Sequence, residues 1–222
     1  MKNNWFLPVM AALQTAALPV QPDSDQLIKD YTEAIRLNPK DTGAYFYRGI
    51  AYNNKRDYDQ AIANYTEAIR LNPNFASAYN NRGIAYNNKR DYDQAIADFT
   101  QAIRLNPNDA NAYNNRGIAY NNKGDYDRAI ADCTEAIRLN LSNAGAYNNR
   151  GIAYYDKRDY DRAIADFTQA IRLNPDFACA YNNRGIAYFD KGDYDQAAAD
   201  YTEAVRLNPN NAGAYNNQEM FQ

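Results

Sequence analysis

Asparagine doublets stand at Asn80-Asn81, Asn114-Asn115, Asn148-Asn149 and Asn182-Asn183, one every 34 residues. A carboxamide both donates and accepts hydrogen bonds, so a row of them can hold a peptide backbone of any sequence without using charge. Ile84, Ile118, Ile152 and Ile186 follow at helical spacing and would add apolar contact. Other chemistry is excluded by what the chain lacks. It has no histidine, which removes the commonest general base and the commonest metal ligand. Its two cysteines, Cys133 and Cys179, form no C-x-x-C or other metal spacing and read as free thiols. No nucleophile motif or phosphate-binding loop occurs, and the carboxylates fall where helices are capped or faces are solvated. Neither catalysis nor a metal or cofactor is therefore expected. A net charge of -3 and a pI of about 5.1 argue against a nucleic-acid partner.

The elements that must position these amides are set by the same period. Gly49, Gly83, Gly117, Gly151 and Gly185 recur in one phase, as do Tyr45, Tyr79, Tyr113, Tyr147 and Tyr181. Two alanine series, from Ala61 to Ala197 and from Ala68 to Ala204, keep step with them, and prolines 39, 73, 107, 175 and 209 close the units, with Leu141 in that place once. A fixed period of this length means stacked helix pairs rather than one globular core. Five full copies are expected at 42–75, 76–109, 110–143, 144–177 and 178–211, with a half copy at each end of residues 21–222. In the copy starting at Ala76, "SAYNNRGIAYNNK" forms a first helix, "RDYD" the turn and "QAIADFTQAIRLN" a second helix. Asp91 can cap the second helix, with Gln94 completing a capping box. Gly124 and Gly192 can end first helices in the left-handed conformation, where Arg56, Arg90 and Arg158 stand in other copies.

At 100° per residue, Ser77, Asn80, Asn81, Ile84, Asn87 and Asn88 fall within one stripe about 120° wide. Tyr79, Gly83 and Tyr86 lie opposite, toward the second helix. The lack of a side chain at Gly83 should let the two helices meet at Ala95. Arg48, Arg82, Arg116, Arg150 and Arg184 should reach along the seam to an acid such as Asp98 or Asp132 on the preceding second helix, as surface pairs of little energetic weight.

The pattern Tyr79, Gly83, Tyr86, Ala95, Phe99, Ala102 and Pro107 resembles the tetratricopeptide repeat, over about 190 of the 222 residues. The resemblance implies an all-α, right-handed solenoid of stacked antiparallel helix pairs. It also implies that the first-helix face lines a concave groove where extended peptides bind. The groove residues would then be Phe46, Tyr47, Asn80, Asn81, Asn87, Asn114, Asn115, Asn121, Asn148, Asn149, Tyr155, Asn182, Asn183 and Phe189. The places where relatives that clamp a terminal carboxylate carry bases hold Phe46, Ile50, Asn81, Gly145 and Asn149, so no carboxylate clamp is expected.

The groove is not uniform. Phe46 and Tyr47 replace asparagines in the first copy, while Tyr155-Asp156 and Phe189-Asp190 replace Asn-Asn pairs in the fourth and fifth. That aromatic, acidic end calls for a ligand with apolar and basic groups. The expected function is a non-catalytic scaffold with a protein or peptide partner. The alternative is a self-assembling module forming homo-oligomers through its ends or convex faces. Because duplication copies every residue, amides that bond only to one another remain a further alternative.

Residues 1–20 are of another kind: one lysine, an apolar run from Trp5 to Leu13, then small residues. They read as a signal peptide cleaved near Thr15-Ala16-Ala17, giving a periplasmic or extracellular protein. The alternative is an apolar capping helix retained on a cytoplasmic one. The run is too short to span a bilayer.

Overall fold

Every second helix carries its apolar residues at one spacing. In Tyr92–Leu105, Ala95, Phe99, Ala102 and Ile103 are buried, the i, i+4, i+7, i+8 pattern of a single face. The Asp91 carboxylate accepts the Gln94 backbone N–H at the start of this helix. Asn106 ends it, and its side-chain oxygen accepts the Asn108 N–H across Pro107. Asn140 makes the same turn toward Ser142 where Leu141 replaces proline. The asparagine turn thus forms with or without the proline.

The computed structural model describes residues 23–210, 213, 215 and 217. Residues 1–22 lie outside the described residues, and with them the signal-peptide reading. Among the described residues there are eleven helices and no strand: α1 (Ser24–Leu37), α2 (Thr42–Asn54), α3 (Tyr58–Leu71), α4 (Ala76–Asn88), α5 (Tyr92–Leu105), α6 (Ala110–Lys123), α7 (Tyr126–Leu139), α8 (Ala144–Asp156), α9 (Tyr160–Leu173), α10 (Ala178–Lys191) and α11 (Tyr194–Leu207). They fall into two compact units that divide after Asp125. In the first, α1 to α6 each pack on the next, and the first helices α2, α4 and α6 also touch in turn. In the second, α7 to α11 pack in the same manner, with α8 touching α10. This is the all-α, solenoid-type stacking of helix pairs that the period implies.

The pairs close on glycine, but the neighbour differs from the expected Ala95. A Cβ built on Gly83 would lie 2.7–3.0 Å from three ring atoms of Phe99. Gly49 faces Tyr65, Gly151 faces Phe167 and Gly185 faces Tyr201 in the same way. The ring, one turn further along the second helix, reaches the glycine that alanine is too short to meet. The left-handed turn after the first helix forms whatever residue stands there: φ is 87° at Gly124 and 95° at Gly192, and 61°, 64° and 63° at Arg56, Arg90 and Arg158. The following backbone N–H closes on the helix, as Asp91 N does on the Tyr86 carbonyl at 2.9 Å. That bond occupies the donor Gln94 was expected to cap, so only the Asp91 half of the capping box is found.

Candidate functional site

The amide doublets bond across copies, always from one residue to the place 35 positions earlier. Asn115 Nδ2 donates to Asn80 Oδ1 at 3.1 Å, and Asn122 Nδ2 to Asn87 Oδ1 at 3.2 Å. In the second unit Asn183 donates to Asn148 at 3.0 Å and Asn217 to Asn182 at 3.2 Å. Each bond is a rung between adjacent first helices, on the side away from the glycine seam. In these rungs the first member of a doublet accepts from the next copy and the second donates to the previous one, whereas the Asn53 side-chain oxygen is buried without a partner. This offset is present in the sequence as the 34-residue period plus one, and Asn122 and Asn217 are rung donors that residue-by-residue reading passes over.

Where the rung partner cannot accept, the amide turns inward. Asn81 would meet Phe46, which has no acceptor, and its Nδ2 donates instead to the Ser77 carbonyl of its own helix at 2.9 Å. Phe46 itself is buried against Tyr65 and Phe75, with ring centroids 5.9 and 4.7 Å away, so the structure moves it from the expected groove into the core. Tyr47 is 51 % exposed and stacks on Tyr31 at 5.7 Å. Asn80, Asn81, Asn87, Asn115, Asn121, Asn182 and Asn183 are half-buried. Asn114, Asn148 and Asn149 are buried, Asn148 to 1 % exposure, and present almost no surface to a ligand. Ile152 is buried as well, while Ile84, Ile118 and Ile186 are half-buried.

One rung changes chemistry in the second unit. Tyr155 Oη donates to Asp190 Oδ2 at 2.6 Å, at the places that Asn87 and Asn122 hold two copies earlier. Burial, then that bond, push the Tyr155 phenol well above its ordinary pKa. Phe189 meets the Tyr194 ring edge-on at 5.4 Å.

The arginines behave otherwise than expected. Arg82 Nε and Nη2 bond both oxygens of Asp98 on the second helix of the same copy, at 2.7 and 2.8 Å, and Nη1 bonds the Thr66 hydroxyl of the preceding one at 3.0 Å. Arg150 with Asp166 and Thr134, and Arg184 with Asp200 and Thr168, repeat this. The acid therefore lies on the following second helix, and the preceding helix supplies a hydroxyl. These pairs are largely buried, with side-chain exposures of 17 % and 8 % for Arg82 and Asp98, rather than surface contacts. The Asp166 hydrogen bond raises the Arg150 pKa against the effect of burial. Each guanidinium also lies near a tyrosine of its own helix, Arg82 being 5.6 Å from the Tyr79 centroid. In the first copy Asn64 stands in place of the acid and accepts from Arg48 at 2.8 Å.

Among the described residues no group of histidine, cysteine or acidic side chains is placed to hold a metal, and no helix is long and apolar enough to cross a membrane. Cys133 is buried, which pushes its thiol up to about 12, and Cys179 is exposed.

The stacking has counterparts. The structure from the functional characterization of Pseudomonas aeruginosa pilF superposes with a TM-score of 0.73 at 18 % identity, over 89 % of this chain and 90 % of that one. MamA superposes at 0.64 with 29 % identity, over 74 % of this chain and 96 % of its own. YrrB, a TPR protein with an unusual peptide-binding site, superposes at 0.63 with 22 % identity, over 86 % and 99 %. No match is found among curated protein sequences. Tetratricopeptide repeat models match residues 30–63, 76–109, 110–143 and 148–212, and a TPR repeat model matches 55–89. With its 34-residue period, paired helices and glycine–aromatic seams covered almost end to end, the chain belongs to the tetratricopeptide repeat family.

Proposed function

We propose that the chain is a non-catalytic scaffold that binds an extended segment of a protein partner along the faces presented by its first helices. The rungs carry this reading. A carboxamide has two N–H donors and two acceptor lone pairs, and a rung uses one from each partner. Asn80, Asn115, Asn182 and Asn183 are half-buried, so their remaining groups are positioned to meet a backbone N–H or C=O at the surface. The exposed Tyr47 ring, stacked on Tyr31, adds an apolar platform at one end of the first unit. The likeness to YrrB, with its peptide-binding site, is in keeping with this use of the fold.

Random peptides displayed against the full chain would supply a ligand, whose affinity is then followed by fluorescence anisotropy. Joint Asn80→Ala and Asn115→Ala substitution should weaken binding roughly tenfold, the scale of one or two hydrogen bonds, and leave the melting temperature nearly unchanged. Lower stability with unaltered affinity would mean that the amides serve only one another. Light scattering across a concentration series separates this reading from self-assembly, since the scaffold should stay monomeric. Export after removal of a signal peptide belongs to the same reading, and N-terminal sequencing of the mature chain tests it.

A further inference from the structure

The fourth and fifth copies share a departure from the repeat that is two residues wide. Where the first three carry Asn53-Asn54, Asn87-Asn88 and Asn121-Asn122, these carry Tyr155-Asp156 and Phe189-Asp190. Duplication explains identity between copies but not this coordinated change. The new side chains gather with two tyrosines at the start of the second helices. Tyr155 lies 5.6 Å from Tyr160 and Phe189 lies 5.4 Å from Tyr194, and the Tyr155–Asp190 hydrogen bond ties the two ring pairs together. Four rings and two carboxylates thus share one edge of the second unit. Tyr194, at 56 % exposure, and Asp190 are open to solvent, and Tyr155, Asp156, Tyr160 and Phe189 are half-buried. Three neighbouring cations are engaged elsewhere, Lys157 with Asp127, Lys191 with Asp161, and Arg162 with Asp159 and over the Tyr154 ring, while Arg158 is exposed beside Tyr160.

From this geometry we infer that the edge formed by Tyr155, Asp156, Tyr160, Phe189, Asp190 and Tyr194 is a recognition site for an arginine side chain of the bound segment. The inference rests on the peptide-binding reading and names the partner's chemistry. Ring faces carry negative electrostatic potential and attract cations, and a planar guanidinium can stack on a ring while its N–H fork meets a carboxylate. Asp190 uses one oxygen on the Tyr155 hydroxyl, and a carboxylate accepts at both. The phenol bond fixes that carboxylate in place, one residue after Phe189, so the ligand need not order it. A basic segment also complements a chain of net charge -3.

Three capped alanine peptides test this by chemical-shift titration of the full chain: one carrying a single arginine, one lysine, and one citrulline, which keeps the shape of arginine without its charge. The arginine peptide should bind at least fivefold more tightly than the citrulline peptide, with lysine between them, and added salt should narrow the gap. Joint Phe189→Asn and Asp190→Asn substitution restores the doublet of Asn121-Asn122, which the fold already accommodates, and should erase the preference. Asp190→Asn alone keeps an acceptor for Tyr155 and should remove most of it. Equal binding of arginine and citrulline peptides, or a preference that survives the double substitution, would overturn the inference. Asn80 and Asn115 lie in the other unit, so the two proposals fail separately. If their replacement leaves the displayed peptide bound while the arginine preference still depends on Asp190, the amide reading falls alone. The opposite pattern removes only the arginine site.

Discussion

The Arg82 guanidinium grips both oxygens of Asp98 on the opposite helix of its hairpin, at 2.7 and 2.8 Å, with little of either side chain exposed. Burial works against the charge on Arg82, and the hydrogen bonds and charge of Asp98 more than reverse it, so its pKa stands above the ordinary value. Removing one member strands the other in a poorly hydrated place. Asp98→Ala should cost about 3 kcal/mol in urea-induced unfolding. Adding Arg82→Leu should recover much of that, because an apolar residue at this place no longer requires a partner. A loss below about 0.5 kcal/mol for Asp98→Ala would show the bridge to be solvated in practice.

Tyr65 is fully buried and its hydroxyl has no hydrogen-bond partner, whereas Phe99 and Phe167 hold the same place in other copies. Tyr65→Phe should raise stability by about 1 kcal/mol, the saving on an unsatisfied hydroxyl, read as an upward shift of the melting temperature. Burial also lifts the Tyr65 pKa above its ordinary value of 10.0. The folded state therefore favours the neutral phenol. Its contribution is complete below about pH 10 and is lost as pH rises toward the folded-state pKa. The phenylalanine variant should resist alkaline unfolding in that window better than the parent.

Gly151 leaves room for one ring and nothing more. A methyl group there would approach three atoms of the buried Phe167 ring at 2.7–3.2 Å, and that ring cannot swing into solvent. Gly151→Ala should destabilise the chain by about 1–3 kcal/mol despite the better helix propensity of alanine. A stabilised variant would mean that the hairpin opens without penalty.

Arg90 holds a left-handed backbone at φ 64°, which an L side chain adopts at a cost of about 1–2 kcal/mol that glycine avoids. Arg90→Gly should therefore stabilise by about 0.5–1 kcal/mol, after allowing for the extra freedom of glycine in the unfolded chain. Gly124→Ala, at φ 87° with open space around it, should lose a similar amount by strain alone. Thermal unfolding of the two variants should show opposite signs.

The helix pairs were legible in the sequence because glycine, alanine and aromatic residues return at a period that only stacked hairpins satisfy. Most helix ends were legible too, since Asp91 and its equivalents and Gly124 act through local backbone chemistry, but the closing turn was credited to proline, whereas Asn106 and Asn140 make it. The direction of the arginines was not. A long side chain can reach an acid on either neighbouring helix, and only packing shows that Asp98 faces Arg82 from within its hairpin while Thr66 faces it from outside. Phe46 was misplaced for a related reason. Its place in the repeat is a groove place, but Phe75 at the start of α4 and Tyr65 on α3 offer it an apolar pocket that asparagine would not enter. The amide stripe was visible as a face, whereas the rungs depended on seeing that each doublet serves two neighbours.

Those rungs have an evolutionary corollary. In the first unit the threonine contacts, the lysine ties such as Lys123 to Asp93, and the amide bonds all join a residue to the adjacent copy by a fixed offset. Excising residues 76–109 and resealing the chain would bring Arg116 opposite Thr66 and Lys123 opposite Asp59, each a pair of the same kind as the one lost. Two amides would change their habit: Asn115 would meet Phe46 as Asn81 does now, and Asn122 would face Asn53, whose side-chain oxygen accepts no bond at present. Copy number is thus free to drift by unequal recombination without a single new side chain having to be invented, and the length of the stack becomes a trait that selection can adjust in whole steps.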